Sequence, residues 1–312
     1  LSILTVVTVF PHSPIVYSTP ELANANSLFS IMCKDMLTED LYEAKLAGLS
    51  FELFNTSNGV NLEFYGYNHK MEIFLSHIFE KIISLEIDPK RFEILKEKYA
   101  RMMKNYKTRA LYTLTGYYLN LITSEMSWSY EDLIGAHDHL TIDAVKSIPN
   151  TLFSCFKIEA FLHGNLSKSS ALKICDIIEQ KLMSHYKPIP LLDHPHLRMR
   201  EIVLEPGCFY RYETKIDIQR PLAINVYFQV SFDDLKDASM LLLINQLLLE
   251  DCFNILRTKE QLGYVVYCQR NVSSGVSGLS FVIQSEYGTN YLDDRIEAFI
   301  AWAEVRDSMN GW

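Results

Sequence analysis

The chain has 312 residues, of which 48% are hydrophobic and 12% aromatic, so it can bury a large core and is long enough for two domains. Its 29 basic and 38 acidic side chains give a formal charge of −9, which argues against a nucleic-acid partner or a general attraction to anionic lipid. The longest apolar stretch, Met240 to Leu249, is interrupted by Asn245 and Gln246 and is too short to predict a transmembrane segment.

The predicted elements of the first half begin with a core strand in the apolar run "LSILTVVTVF", which has no basic region of the kind that precedes a secretory signal. A helix is predicted from Thr19 to Gly48. Its start is indicated by Thr19 as N-cap, Pro20 at the first helical position and the acidic Glu21 in the first turn. The alternating segments "LSFELFN" and "GVNLEFYGY" around the turn "TSNG" predict a β-hairpin. Further helices are predicted from Lys70 and from Asp88-Pro89, and the second of these carries Glu97 and Arg101 at i,i+4 spacing. Helices are also predicted at 112–123, 141–153 and 169–185, and a strand is predicted in "CFKIEAFLHGNL".

The pattern restarts after the segment 186–200, "YKPIPLLDHPHLRMR", whose three prolines and lack of a regular period indicate a linker. A strand at 223–231, a long helix that ends at Gly263, a strand-turn-strand unit and a helix at 291–304 follow. The segment "QLGYVVYCQRNVSSGVSGLSFVIQSE" takes the place of "LAGLSFELFNTSNGVNLEFYGY", with Gly263 opposite Gly48 and Gly275 opposite Gly59. We therefore predict an α+β fold of two tandem homologous domains, each a sheet with a layer of helices: 1–185, a linker at 186–200, and a partial second domain at 201–312.

The sequence lacks the common hydrolytic motifs. Neither H-E-x-x-H nor the inverted H-x-x-E-H occurs, so we predict no metal site on this chain. The closest histidine pairs are His137 with His139 and His194 with His196, and we interpret them as solvated loop residues because no third ligand accompanies them. An unrelated hydrolase based on Cys or His stays open, although no partner histidine is singled out for a Cys nucleophile.

The stretch "ILRTKEQLGYVVY" carries the strongest candidate site. If Gly263 is a helix stop, Arg257 lies in the last turns of a helix and Tyr264 opens the next strand, so both can face one space. A purely structural interpretation competes with this one, in which Arg257 pairs with Glu260 or Asp251 and Tyr264 is a half-buried strand aromatic. Spacing alone does not decide between them.

"FNILRTKEQLGYVVY" closely resembles a segment of the pitrilysin/insulinase (M16) family of zinc metallopeptidases, of the insulin-degrading-enzyme and nardilysin type. "YEAKLAGLSFELFNT", "GVNLEFYGYNHK", "IDPKRFEILKEKY", "IEAFLHGN" and "GLSFVIQSE" resemble the same proteins in the same order. The resemblance extends from near residue 5 to about Phe299, and only "IAWAEVRDSMNGW" departs from it.

The resemblance implies four homologous α+β domains that form two bowl-shaped halves around a closed chamber. Zinc, the cofactor of the complete enzyme, is bound in that family by the inverted motif of the first domain, so this chain would be the third domain and the front part of the fourth. Arg257 and Tyr264 would then hydrogen-bond the scissile carbonyl of a peptide substrate, and Phe253 would line the pocket beside the cleaved bond. A guanidinium and a phenol suit this task because negative charge develops on the carbonyl oxygen during peptide hydrolysis.

Two functions are consistent with these features. In the first, the chain is the C-terminal, non-zinc half of a zinc metalloendopeptidase, inactive alone and partnered by a zinc-bearing N-terminal half on the same or a separate polypeptide. In the second, it is a stand-alone metal-free homologue that binds peptides or scaffolds a partner. We expect a cytoplasmic rather than a mitochondrial location, because such family members are mostly cytosolic and the six scattered cysteines form no C-x-x-C pair.

Overall fold

The computed structural model describes residues 4–190, 199–216, 221–232 and 234–310, and these residues fall into two compact units. The first unit comprises residues 4–104 and 128–190. The second comprises residues 105–127 and the described residues from 199 onward. Each unit has its own β-sheet and its own buried apolar cluster.

In chain order, the described strands are β1 (Leu4–His12), β2 (Leu49–Thr56), β3 (Gly59–Tyr67), β4 (Cys155–Gly164), β5 (Ile189–Pro190), β6 (Leu222–Phe232), β7 (Val265–Ser273) and β8 (Val276–Ser285). The described α-helices are α1 (Pro20–Met36), α2 (Thr38–Leu46), α3 (Asn68–Ile83), α4 (Pro89–Lys104), α5 (Leu111–Thr123), α6 (Tyr130–His137), α7 (Ile142–Leu152), α8 (Lys168–Tyr186), α9 (Leu235–Cys252) and α10 (Thr289–Asn310). The sequence predicted neither β5 nor α6.

The first unit is built on a sheet of order β2-β3-β1-β4-β5, in which all pairs are antiparallel except β4 with β5. Strand β2 alternates strictly, with Leu49, Phe51 and Leu53 buried and the residues between them exposed, because only one side of the strand faces the core. The predicted hairpin and the predicted N-terminal core strand are therefore confirmed.

Helix α1 begins where the sequence predicted, since the Leu22 N–H donates to Thr19 Oγ1 at 3.3 Å. The single helix predicted from Thr19 to Gly48 is instead two helices, α1 and α2, which meet at Leu37. The Leu37 side chain is fully buried, so the break turns an apolar residue into the core. The predicted i,i+4 pair is present, with 3.8 Å between Arg101 Nε and Glu97 Oε1.

The second unit repeats the topology of the first. Its sheet has the order β6-β8-β7, which matches β1-β3-β2, and both pairs are antiparallel. Strand β8 is buried at nearly every position because α5 packs on one face of the sheet and α9 on the other. The internal repeat inferred from the sequence is thus present in the structure.

Helix α5 was not expected in the second unit. It lies within the sequence range predicted for the first domain, 1–185, yet it packs on β6 and β8, and the Tyr112 N–H donates to Gln284 Oε1 at 3.2 Å. The boundaries 1–185, 186–200 and 201–312 stay a prediction, since residues 191–198 of the linker lie outside the described residues.

Helix α9 is unusually apolar on its outer side. Only Leu241, Leu248 and Cys252 are buried, whereas seven other large apolar side chains are exposed: Leu235, Met240, Leu242, Leu243, Ile244, Leu247 and Leu249. By length and composition alone, the stretch Leu235–Lys259 is long and apolar enough to cross a membrane. This is weak evidence for a membrane span, because core helices of soluble proteins meet the same criterion.

The helices of the first unit are joined by a buried polar link. Asn24 of α1 is fully buried, its Nδ2 donates to the Leu133 carbonyl of α6 at 2.8 Å, and its Oδ1 accepts from the Tyr99 hydroxyl of α4 at 3.0 Å. Burial raises the pKa of Tyr99, which keeps the hydroxyl a donor at neutral pH.

We expect Asn24→Ala to lower the free energy of unfolding by about 1–3 kcal/mol, because it leaves a buried carbonyl without its donor. Tyr99→Phe, which removes only the donated hydroxyl, should cost about 1 kcal/mol. Urea denaturation followed by circular dichroism measures both, and an Asn24→Ala chain as stable as the wild type would contradict a structural role for the link.

Candidate functional site

Phe253, Arg257 and Tyr264 lie together in the second unit. The Arg257 Cζ is 4.5 Å from the centroid of the Phe253 ring and 4.9 Å from that of the Tyr264 ring. Both distances are within the range of a cation–π interaction, so the guanidinium is held against two aromatic rings. The structure brings together all three residues that the sequence proposed, and their roles stay a prediction.

Phe253 and Arg257 lie on a π-helix, Phe253–Lys259, that continues from α9. Its wider turn is seen in the hydrogen bond from the Glu260 N–H to the Ile255 carbonyl five residues earlier, at 2.9 Å. Segments of π-helix are rare in proteins, and those that occur are often found at functional sites. The sequence predicted an ordinary helix end here, and we find no signal in it for the wider turn.

The prediction that Gly263 is the helix stop is wrong. The residue with the left-handed conformation is Gln261, with φ of 54°, and the Leu262 N–H closes the helix end by donating to the Leu256 carbonyl at 3.0 Å. Gly263 has no positive φ. Glycine is needed there because a Cβ would lie 2.0 Å from the Gln284 carbonyl oxygen on β8.

The segment between the π-helix and β7 is anchored on the end of β8. Leu262 is buried, its carbonyl accepts a hydrogen bond from the Ser285 hydroxyl, and Ser285 Oγ in turn accepts from the Tyr287 N–H at 3.0 Å. The Tyr264 side chain is nevertheless 85% exposed. The backbone of Tyr264 is therefore fixed while its phenol lies open to solvent, unlike the half-buried strand aromatic that we considered.

The alternative ion pairs of Arg257 are not formed. Both Glu260 carboxylate oxygens accept from Arg295, at 2.7 Å from Nε and 2.7 Å from Nη2, and Asp251 accepts from Arg306. The hydrogen bond with Glu260 raises the pKa of Arg295. Among the described residues, no ion pair or hydrogen bond engages the Arg257 guanidinium, which leaves five donors for a ligand.

Cys252 directly precedes Phe253 but is not available as a nucleophile. It is fully buried, as is Cys268 on β7. A hydrogen bond with Cys268 and burial raise the pKa of the Cys252 thiol. The thiol is thus neutral and shielded, which removes support for a Cys hydrolase at this position.

The histidine pairs do not form a second site in the part of the chain that the structure describes. His137 is buried rather than solvated, because it ends α6 against α4, where its Nε2 lies 3.2 Å from the Lys96 carbonyl. His139 is exposed, and His194 and His196 lie outside the described residues. Within the described ranges, no group of three His, Cys, Asp or Glu side chains is placed to hold a metal ion.

Comparison with known families gives two matches. The family model described as the middle or third domain of peptidase M16 matches residues 5–136. The model described as the PQQ synthase PqqF-like C-terminal lobe domain 4 matches residues 243–309, which include Phe253, Arg257 and Tyr264.

Individual relatives extend over nearly the whole chain. It is 39% identical to the insulin-degrading enzyme of Homo sapiens over 292 residues, which are 94% of this chain and 29% of that protein. It is 32% identical to the insulin-degrading enzyme of Drosophila melanogaster over 289 residues, 92% of this chain and 29% of that protein. The crystal structure of pitrilysin has the same fold, with a TM-score of 0.83 and 18% identity over 97% of this chain and 32% of that one. The chain therefore spans less than a third of the length of these relatives.

We expect Gly263→Ala to lower the free energy of unfolding by about 1–3 kcal/mol, because the added methyl meets a backbone carbonyl that cannot move without bending β8. Gln261→Gly removes the left-handed strain and should be neutral or stabilise by up to about 1 kcal/mol. Gly288 is a matched control, since a Cβ there meets nothing within 4 Å. Chemical denaturation measures all three, and equal effects of Gly263→Ala and Gly288→Ala would rule out the close approach.

Proposed function

Because this chain belongs to the pitrilysin/insulinase (peptidase M16) family, we propose that it forms the C-terminal, non-zinc half of an insulin-degrading-enzyme-like metalloendopeptidase. In this proposal residues 1–185 are the third domain, residues 201–312 are the front part of the fourth, and both contribute to the wall of a substrate chamber. The order of the two matched family models along the chain supports the assignment. The observation that carries the proposal is the Arg257 guanidinium, which has no ion-pair or hydrogen-bond partner among the described residues and is held beside the exposed Tyr264 phenol.

Arg257 and Tyr264 are donors suited to a carbonyl oxygen that gains negative charge. The guanidinium offers five N–H donors, and the rings of Phe253 and Tyr264 limit the positions that it can take. The Tyr264 backbone lies between Leu262, whose carbonyl accepts a hydrogen bond from Ser285, and Val265, which pairs with Gln284 of β8, so its hydroxyl moves chiefly about the side-chain bonds. Donors that are already oriented stabilise the transition state without a reorganisation cost at the moment of reaction.

The substrates in this proposal are polypeptides. The relatives that match over more than 90% of this chain include the insulin-degrading enzymes of Homo sapiens and Drosophila melanogaster, which are named for the degradation of insulin, a polypeptide. Phe253 is 41% exposed and provides an apolar surface beside Arg257, which fits a side chain next to the cleaved bond. Phe253 would thereby contribute to substrate binding, in addition to contacting the guanidinium.

Zinc does not fit the described residues of this chain, since they offer no group of three suitable ligands. In the proposal the metal therefore belongs to an N-terminal half, which also supplies the attacking nucleophile. This chain alone would be inactive, because its donors have no reaction to assist.

The exposed apolar side of α9 supports a larger assembly. In the first unit, the corresponding helix α1 packs against α4, α6 and α7, and nine of its residues are buried. Helix α9 packs chiefly on the strands of its own sheet and on the π-helix, and three of its residues are buried. Helices equivalent to α4, α6 and α7 would cover its exposed leucines in the complete protein.

We also propose a cytoplasmic location, since all six cysteines are free and none is paired in a disulfide. A stand-alone metal-free homologue that binds peptides or scaffolds a partner is the alternative function. The same unpaired Arg257 would then bind a peptide carbonyl or carboxylate without cleavage.

In the assembled zinc-bearing enzyme, we expect Arg257→Ala and Tyr264→Phe each to lower kcat by about 10²-fold with a smaller change in KM, because each removes a donor used in the transition state. Tyr264→Phe keeps the ring that contacts Arg257 and so isolates the hydroxyl. Tyr287→Phe is the matched control, since Tyr287 is a half-exposed tyrosine of the same unit whose ring contacts Tyr291 instead of Arg257. Steady-state kinetics that show only a raised KM would assign both residues to ground-state binding.

The native polypeptide captured with an antibody against residues 251–267 should have a mass well above 36.1 kDa and contain one zinc ion. The isolated chain of 312 residues should contain none after dialysis, as measured by elemental analysis. One zinc per isolated chain would contradict the assignment of the metal to another half. A native species near 36.1 kDa without zinc would instead favour the metal-free homologue.

A further inference from the structure

Two arginines of α10 bind the acidic side chains nearest to Arg257 on either side in the sequence. Arg295 donates from Nε and Nη2 to the two carboxylate oxygens of Glu260, each at 2.7 Å, and Arg306 donates from Nη1 to Asp251. Both pairs are partly buried. The carboxylates that Arg257 would otherwise bind are thus engaged by another helix.

Glu260 is the stronger competitor for Arg257. It lies three residues after Arg257 and directly follows the π-helix as its C-cap residue, so it is the acidic residue nearest to Arg257 in the sequence. An ionised carboxylate is a better acceptor for a guanidinium than the neutral carbonyl of a peptide. A Glu260 carboxylate without another partner would therefore draw Arg257 away from a substrate oxygen.

We infer that Arg295 is a positioning residue: its bidentate bond to Glu260 keeps this carboxylate off Arg257 and leaves the Arg257 guanidinium free for substrate. The inference rests on the proposed function only where it assigns a role to the free guanidinium. The engagement of Glu260 and the free state of Arg257 are structural and are tested separately below.

The geometry explains why an arginine stands at position 295. The planar guanidinium binds both carboxylate oxygens of Glu260 at once, whereas an ammonium group binds as a point charge and leaves one oxygen available. Arg295→Lys should accordingly retain part of the effect, while Arg295→Ala should abolish it.

The first test reads the state of Arg257 on this chain without any activity measurement. Phenylglyoxal modifies free guanidinium groups, and mass spectrometry of the labelled peptides gives the rate at Arg257. We expect the rate to fall severalfold in Arg295→Ala, because the released Glu260 carboxylate engages Arg257. It should return to the wild-type value in Arg295→Ala/Glu260→Gln, in which no carboxylate is released.

The second test uses kinetics of the assembled zinc-bearing enzyme. Arg295→Ala should lower kcat/KM by up to about 10²-fold, the loss expected when a transition-state donor is removed. In Arg295→Ala/Glu260→Gln, kcat/KM should return nearly to the wild-type value. Glu260→Gln alone should stay close to the wild type. Arg306→Ala is the control, because it also breaks an Arg–carboxylate ion pair made by α10 but releases Asp251, which is six residues from Arg257.

The outcomes separate this inference from the proposed function. A double variant as slow as Arg295→Ala, or equal losses in Arg295→Ala and Arg306→Ala, would give Arg295 a merely structural role and overturn the inference. An unchanged labelling rate in Arg295→Ala would overturn it as well. If Arg257→Ala leaves kcat at the wild-type value, the proposed function fails, and the labelling result still decides whether Arg295 controls Arg257.

Discussion

The close approach of Gly263 to the Gln284 carbonyl determines where the candidate site forms. A side chain at position 263 would lie 2.0 Å from that oxygen, so only glycine lets the chain reach the end of β8 at this point. The Ser285 hydroxyl holds the preceding carbonyl, that of Leu262, on the same strand end. The segment that leaves the π-helix is therefore docked before β7 begins, and this brings the Tyr264 ring to the Arg257 guanidinium.

A second constraint is the distribution of charge around the π-helix. An arginine beside a carboxylate forms an ion pair, and an ion-paired arginine is a poor donor for a neutral ligand. The second unit resolves this by providing more than one arginine. Glu260 and Asp251 bind side chains of α10, and Arg257 faces aromatic rings, whose faces attract a cation without using its hydrogen-bond donors. The aromatic pair thus holds the guanidinium in place while its N–H groups stay available.

Most of the fold follows from residues that are close in sequence, and these parts were predictable. The β2–β3 hairpin is encoded by alternation around a turn, and the start of α1 by Thr19 and the residues after it. Helix α6 was missed although its signal was present, since Ser129 and Asp132 form a capping box. The placement of α5 on the second sheet was not predictable, because the apolar residues of a helix do not indicate which of two sheets the helix will pack against.

The candidate site shows the same division between local and non-local information. The spacing of Arg257 and Tyr264 predicted that both can face one space, and their identification as site residues came from family resemblance. The bond between Glu260 and Arg295 joins residues 35 apart in the sequence, a pairing that local spacing does not encode. The role of Gly263 was misassigned because a glycine after a helix signals either a left-handed residue or a close approach. In this structure Gln261 has the left-handed conformation, and Gly263 makes the close approach to the Gln284 carbonyl.

The internal repeat gives these differences a common physical basis. The two sheets have the same strand order, yet Gly48 has φ of 76° and ends a helix, whereas Gly263 has no positive φ and contacts β8. The helix of the second unit continues into the π-helix at the place in the element order where the first unit has a short helix, α2. The same topology therefore carries different segments between its first helix and its hairpin: a short helix in the first unit, and in the second a π-helix and turn that present an arginine and a tyrosine. The inserted wide turn and the displaced helix end are what convert a structural connection into a candidate site.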